Sequence, residues 1–314
     1  MNNILYCKIN SAVHNVRVVE KSRSLEGFSC PDIVEIYIGD KKFKGYQKKD
    51  NNEFNHNDME QLLCYLGEII NIPLALNIRL YTDSQCTIPY SSVSISVESN
   101  ENEKFISFKD MRDELYNDVI AGDLPSNKWI EEWSLLRKRI KADPTNKWEV
   151  EAISDSDYIN CIKFPFEVAE LWKKKHSVLL KSFDTSVIRM SLFDILIGQA
   201  DRTPSNYGIL VNKIQNTAKL SPLFDNSTIT KPYMKDDMNN FNQVLLHRYK
   251  FFLHLKKHFG QQFCEVAKCI ASKKNELLAT IDDFSNRLSI NDYRLIKRRV
   301  IEGCALFESI EELY

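Results

Sequence analysis

Three polar residues, Asp201, Asn206 and Asp225, stand in order within one stretch of the chain. It reads FDILIGQADRTPSNYGILV from Phe193 and, after a short polar linker, KLSPLFDNSTI. Transfer of a phosphoryl group to a hydroxyl needs one carboxylate near the acceptor, and oxygen ligands from an Asn and a second Asp to hold Mg²⁺ on the phosphates. The three residues meet that list. An apolar helical run (Met190, Phe193, Ile195, Leu196, Ile197) ends at Gly198, a polar loop follows, and two short apolar strands span Tyr207 to Val211 and Lys219 to Phe224. The polar groups therefore sit where a rigid scaffold hands the chain to a loop. Taken singly, Asp201 and Asp225 are ordinary turn residues. The combination of an apolar helix entering DRxxxN, a hairpin, and an apolar strand ending in PLFD is not what independent turns produce.

The elements that must position these residues follow from periodicity. The runs ILYCKI, VRVVE and IVEIYI alternate with period two and are rich in Val and Ile, which predicts strands, with KSRSLEGFSC as a loop between the second and third. Gly39-Asp40 turns the chain into KKFKGYQKK, a basic strand, so the first fifty residues read as an antiparallel meander. Met59, Leu62, Leu63, Leu66, Ile69 and Ile70 form a helical stripe capped at Asn57 or Asp58, which ends before Ile72-Pro73. Strands are expected at LALNIRLYT and SSVSISVES, and ENEKFISF closes this part.

Beyond Phe108 the apolar spacing becomes helical, at Met111 to Ile120, Lys128 to Ile140, Phe166 to Leu180 and Ser186 to Ile197. It is helical again at Phe241 to Phe259, Gln262 to Leu278 and Asn291 to about Leu306. The pattern predicts an α+β chain with a small lobe of β-sheet plus one helix over 1–100 and a larger, mainly helical lobe over 101–314, joined near Glu98 to Lys104.

The stretch GQADRTPSNYGIL followed by LSPLFDNS resembles the catalytic core of the HipA-like kinases, which include the CtkA-like bacterial effector kinases, and more distantly the phosphatidylinositol 3/4-kinases. That family shows GNxDRHxxNxG and then an apolar strand ending in a metal-binding Asp. The resemblance implies a bilobal, protein-kinase-like fold that uses ATP and Mg²⁺. In it Asp201 is the catalytic Asp, and Asn206 and Asp225 hold the metal. Thr203 stands where the family has His, and Gln199 where it has Asn. A threonine donates a hydrogen bond and carries no proton at neutral pH.

A kinase also needs a small-lobe lysine on the non-transferred phosphates, held by a helix Glu. Lys44 with Glu60 is the first choice; Lys41, Lys42, Lys48 and Lys49 compete for the lysine, and Glu68 is an alternative acid. The chain has nine glycines and no GxGxxG, so the phosphate-covering loop falls to KSRSLEGFSC, with Ser22, Ser24 and Gly27 as candidate donors. By analogy with the family, Ser22 and Ser24 are candidate autophosphorylation sites. The hinge beside the nucleotide is expected near Val97 to Ser99.

A formal net charge of −1, with 27 % charged residues well mixed, gives no sign of a nucleic-acid or membrane-surface binder. Eight cysteines are scattered without CxxC pairs, the usage of reduced thiols in a cytoplasmic protein. The N-terminal MNNILYCKINSAV lacks a basic region followed by an apolar core, so the expected location is cytoplasmic, or outside the cell by export without a standard signal. The expected acceptor is a protein Ser or Thr, and the family implies an antitoxin or other regulatory partner. Two alternatives stay open: an inactive nucleotide-binding module, and a kinase for a lipid, RNA or small-molecule hydroxyl.

Overall fold

In the computed structural model the described residues are 5–9, 12–23, 32–49, 56–98, 101–123, 166, 168–199, 202, 206–224 and 252–312. The chain divides into two compact units. The first comprises Met1–Ser99, Pro222–Asp236 and Lys268–Tyr314, and the second Asn100–Ser221 and Asp237–Ala267.

The first unit opens with β1 (Leu5–Ile9), β2 (Ala12–Arg23), β3 (Asp32–Ile38), β4 (Lys41–Lys49), α1 (His56–Ile69), β5 (Asn77–Tyr81) and β6 (Pro89–Ile95). The predicted meander of four strands is present, and it continues into a closed barrel in the order β1-β2-β3-β4-β6-β5. Closure comes from β6 pairing antiparallel with both β4 and β5, and from the pairing of Tyr6 with Tyr81. A closed sheet has no unpaired edge. Alternate residues of β3, Val34, Ile36 and Ile38, point inward to meet Cys7, Val16, Ile78, Leu80 and Val93. At the β3–β4 turn Gly39 has φ 58°, a conformation an unbranched backbone without Cβ adopts freely.

The second unit holds β7 (Glu103–Ser107), α2 (Phe108–Ala121), α3 (residues 168–176), β8 (Leu179–Leu180), α4 (Phe183–Ile197), β9 (Gly208–Asn212), β10 (Thr217–Leu220), α5 (residues 252–259) and most of α6 (Gln261–Ala271). Its sheet runs β7-β9-β10-β8, with β9 and β10 forming the predicted hairpin. The strand ENEKFISF, expected to close the small lobe, instead pairs along β9 in this sheet, from Glu103 opposite Asn212 to Ser107 opposite Gly208. Ser107 then caps α2, its hydroxyl accepting from the Asp110 N–H at 3.0 Å. The helix α4 buries Val187, Ile188, Met190, Leu192, Phe193, Leu196 and Ile197, the pattern of a helix enclosed over most of its length, with Asp184 exposed in its first turn.

Trp172 of α3 is buried and donates its indole N–H to Glu114 of α2 at 3.0 Å. Burial works to raise the Glu114 carboxyl, and hydrogen bonds from Lys175, His176 and Trp172 outweigh it, holding the group below its ordinary value. The expected helix Lys128 to Ile140, with Trp129 and Trp133, lies outside the described residues.

The C-terminal helices α7 (Lys274–Asp283) and α8 (Ile290–Glu308) return to the first unit. This differs from the expected division at residue 100, in which all of 101–314 formed one lobe. The cause is α1, which presents Tyr65 to Phe284 with ring centroids 5.8 Å apart, and Asp58 and Gln61 to Arg287. The single helix expected over Gln262 to Leu278 is two, α6 and α7, broken where Ser272 turns its hydroxyl back on the Cys269 carbonyl at 2.8 Å. No helix among the described residues is long and apolar enough to cross a membrane.

Three thiols of the first unit are held protonated. Burial pushes Cys7 and Cys304 up to about 11 and Cys64 up to about 12, from an ordinary value of 9.0. Above about pH 9 the unfolded chain loses these protons while the folded chain keeps them, so folding stability falls as pH rises from about 9 through 11 to 12. Denaturant midpoints measured at neutral pH and across that window are expected to drop; a flat profile would contradict the burial of these thiols.

Candidate functional site

The polar residues singled out by the sequence fall into two groups, one in each unit. In the second unit, α4 carries Asp194 as the one polar residue in the otherwise apolar run from Leu192 to Ile197. The helix ends with Gly198 at φ 70°, whose N–H returns to the Ile195 carbonyl, and the Gln199 N–H returns to the Asp194 carbonyl at 2.8 Å. Arg202 then folds back over this end. Its Nη2 donates to Asp194 Oδ1 at 2.8 Å and its Nε lies 3.2 Å from both carboxylate oxygens, with both side chains 3 % exposed. A buried, forked ion pair of this kind fixes the two residues in one geometry.

Asp201 lies in the chain between buried Gln199 and Arg202, and is itself outside the described residues, as is Thr203. Asn206 is half-buried and leads directly into Tyr207, whose carbonyl accepts from the Phe108 N–H at 3.1 Å. The following Gly208 has no room for a side chain, because a Cβ there would lie 2.2 Å from the Ile106 carbonyl oxygen and 2.8 Å from the Phe105 ring. The glycine of DRxxxNxG is thus required by the close approach of β7 to β9. The loop is anchored on both sides, by Arg202 before and by Tyr207-Gly208 after.

After β10 the chain enters the first unit. Leu223 donates its N–H to the Pro73 carbonyl at 2.9 Å and accepts from the Ala75 N–H at 2.7 Å, which fixes the strand two residues before Asp225. Asp225 lies outside the described residues.

In the first unit, Lys48 at the end of β4 places its Nζ 2.5 Å from Glu60 Oε1 of α1, the lysine side chain 20 % exposed and the acid 6 %. The other oxygen of Glu60 accepts from Asn77 Nδ2 at 3.1 Å, and Asn77 also donates to Ser94 Oγ at 3.2 Å. Asn57 ties the start of α1 to the barrel, accepting from Ser92 Oγ at 2.6 Å and donating to the Lys48 carbonyl at 3.4 Å. The pairing expected of Lys44 therefore falls to Lys48. Both lysines lie on one face of β4, four residues apart, and Lys44 is exposed.

Ser22, expected in the phosphate loop, lies within β2 opposite Ile33, next to an irregularity in the pairing at Glu20 and Ser22. Ser24 and Gly27 are outside the described residues. Val97 occupies a bend after β6, half-buried. The rings of His254 and His258 stack at 6.3 Å, and His258 also packs on Phe259 at 4.7 Å, as aromatic filling does. Among the described residues no group of three His, Cys, Asp or Glu is placed to hold a metal ion.

Sequence reasoning passed over Asp194, Arg202 and Asn77. The first of these had a legible signal: a lone carboxylate in a buried apolar helix requires a partner close by in space. Nothing in the sequence marks Asn77, whose role depends on where β5 meets α1.

No protein-family model matches the chain, and no curated protein sequence does. Among solved structures, the crystal structure of a Helicobacter pylori proinflammatory kinase, CtkA, is similar at a TM-score of 0.51 and 12 % sequence identity, covering 95 % of this chain and 97 % of that one. A likeness over nearly the full length of both chains, at that identity, shows a shared fold, so the chain has a kinase-like α+β fold.

Proposed function

We propose that this protein is an ATP- and Mg²⁺-dependent phosphotransferase acting on a Ser or Thr hydroxyl of a protein. The observation that carries the reading is the Lys48–Glu60 pair, a partly exposed lysine side chain whose ammonium stands 2.5 Å from a buried carboxylate, in a chain that also contains DRTPSN and PLFD. A lysine so held is suited to non-transferred phosphate oxygens, because its position is set before the nucleotide arrives.

In this reading Asp201 takes up or orients the proton of the acceptor hydroxyl. Asn206 and Asp225 offer an amide and a carboxylate oxygen, the hard donors that Mg²⁺ prefers, and would hold the metal. When bound, Mg²⁺ neutralises charge on the phosphates. Lys48 takes the role first assigned to Lys44; Glu60 orients it, and Asn77 orients Glu60. Arg202, locked on Asp194, sets the start of the loop.

The test is transfer of labelled phosphate from ATP in a cell extract, with products separated into protein, lipid and RNA fractions, using the natural chain and Asp201→Ala. Label in the protein fraction, reduced about 10²-fold or more by Asp201→Ala, is expected for loss of an acid–base group. Equal labelling by the two chains overturns the assignment. Label in the lipid or RNA fraction changes the acceptor. Thr203 in place of the family's His favours a second reading, an inactive nucleotide-binding module, for which ATP·Mg binding without any labelled product is the mark.

A further inference from the structure

We infer that Arg287, from the C-terminal helical hairpin, is a positioning residue for the Lys48–Glu60 pair; this rests on the function proposed above. The first turns of α1 carry four buried polar side chains, Asn57, Asp58, Glu60 and Gln61. Asn57 and Glu60 are held by the barrel, through Ser92, Asn77 and Lys48. Asp58 and Gln61, three apart and so on one helix face, are held from the far end of the sequence. Arg287 lies in the turn between α7 and α8 and donates from Nε to Asp58 Oδ1 at 2.9 Å, while its Nη2 donates to both Asp58 and Gln61.

The guanidinium is itself supported. Its carbon lies 4.3 Å from the centre of the Phe284 ring, and that ring packs on Tyr65 farther along α1. The hairpin thus grips α1 at Asp58 and Gln61 and again at Tyr65. The second oxygen of Asp58 lies 3.5 Å from Arg79 Nη2 of β5, so the carboxylate takes one cation from the barrel and one from the hairpin. Loss of Arg287 leaves Asp58 with Arg79, and the buried charge stays compensated. What is lost is the hairpin's polar tether on the Asp58–Gln61 face of α1, which acts with the barrel contacts at Asn57 and Glu60 to set the rotation of the helix and the place of Glu60 beside Lys48.

The test uses the full chain with Arg287→Ala, Arg287→Lys and, as a control that alters the same hairpin away from α1, Lys297→Ala, which removes the Lys297–Asp282 contact. Two readouts are taken: amide hydrogen exchange of α1 and α8, and ATP·Mg affinity by titration. Arg287→Ala is expected to speed exchange in the first turns of α1 about tenfold or more, the scale of a lost charge-assisted hydrogen bond, with α8 protected as before. ATP·Mg affinity is expected to fall by a similar factor, with partial recovery in Arg287→Lys and no change in Lys297→Ala. In a Lys48→Met background Arg287→Ala is expected to cause no further loss of affinity, a coupling that general destabilisation does not produce. Unchanged α1 exchange in Arg287→Ala, or losses that simply add with Lys48→Met, would overturn the inference. A natural chain that binds no ATP·Mg overturns the proposed function instead, and the exchange experiment still decides whether Arg287 holds α1.

Discussion

Replacing Lys48 by methionine is expected to lower phosphoryl transfer about 10²- to 10³-fold, the effect of deleting one preorganised donor to developing charge. The same change at Lys44 is expected to leave the rate within about twofold, as for an exposed surface residue. The two lysines share a strand and a face, and methionine keeps most of the aliphatic stem in each case. They differ in that the Lys48 ammonium is held 2.5 Å from Glu60 whereas Lys44 is exposed. Removing the Lys48 charge takes a cation away from the buried Glu60 carboxylate, so some loss of stability accompanies the variant. Lys48→Met combined with Glu60→Gln removes both charges and keeps the amide contact in reach. That double variant is expected to melt near the natural chain and to remain as inactive as Lys48→Met. Steady-state rates with labelled ATP and thermal melts decide the matter; equal losses at Lys44 and Lys48 would sink the assignment.

Asp194→Ala is expected to destabilise the fold by about 3–5 kcal/mol, the scale of removing one partner of a buried, forked ion pair. Arg202→Ala removes the other partner and is expected to cost a similar amount. The informative variant is the pair Asp194→Leu with Arg202→Met, which replaces the buried ions by apolar groups of comparable size and is expected to recover most of the lost stability. Phosphoryl transfer is not expected to recover with it. The forked contact at 2.8 to 3.2 Å fixes the residue next to Asp201, and an apolar contact holds position less sharply. Denaturant unfolding and the labelling assay, run on the same preparations, separate the two effects. Full activity in the stable double variant would show that the ion pair serves stability alone.

Local pattern carried much of the fold. The stripe that begins at Met59 makes α1, whose buried apolar residues Met59, Leu62, Leu63 and Leu66 stand at helical spacing. The alternation in IVEIYI makes β3, and the apolar strands after DRTPSN make a hairpin. These signals are legible because they depend on residues within a few positions of one another. The closure of the barrel was not, since it depends on β6 entering between β4 and β5, and pairings between distant strands leave no local trace. The attachment of α7 and α8 to α1 was hidden for the same reason: both helices show ordinary amphipathic patterns, and a pattern states that a face is buried without naming what covers it.

The chain by itself determined the strands of the meander, α1 and the β9–β10 hairpin, and the residue types that make phosphoryl transfer the chemistry to test, concentrated in DRTPSN and PLFD. The tertiary structure decided which of five neighbouring lysines meets Glu60, which acid receives Arg202, and which residue from the far end of the chain reaches Asp58. Identical side chains on one strand face are equivalent until another element is laid across them. Here α1 comes to lie at Lys48, and that distinction exists only in three dimensions.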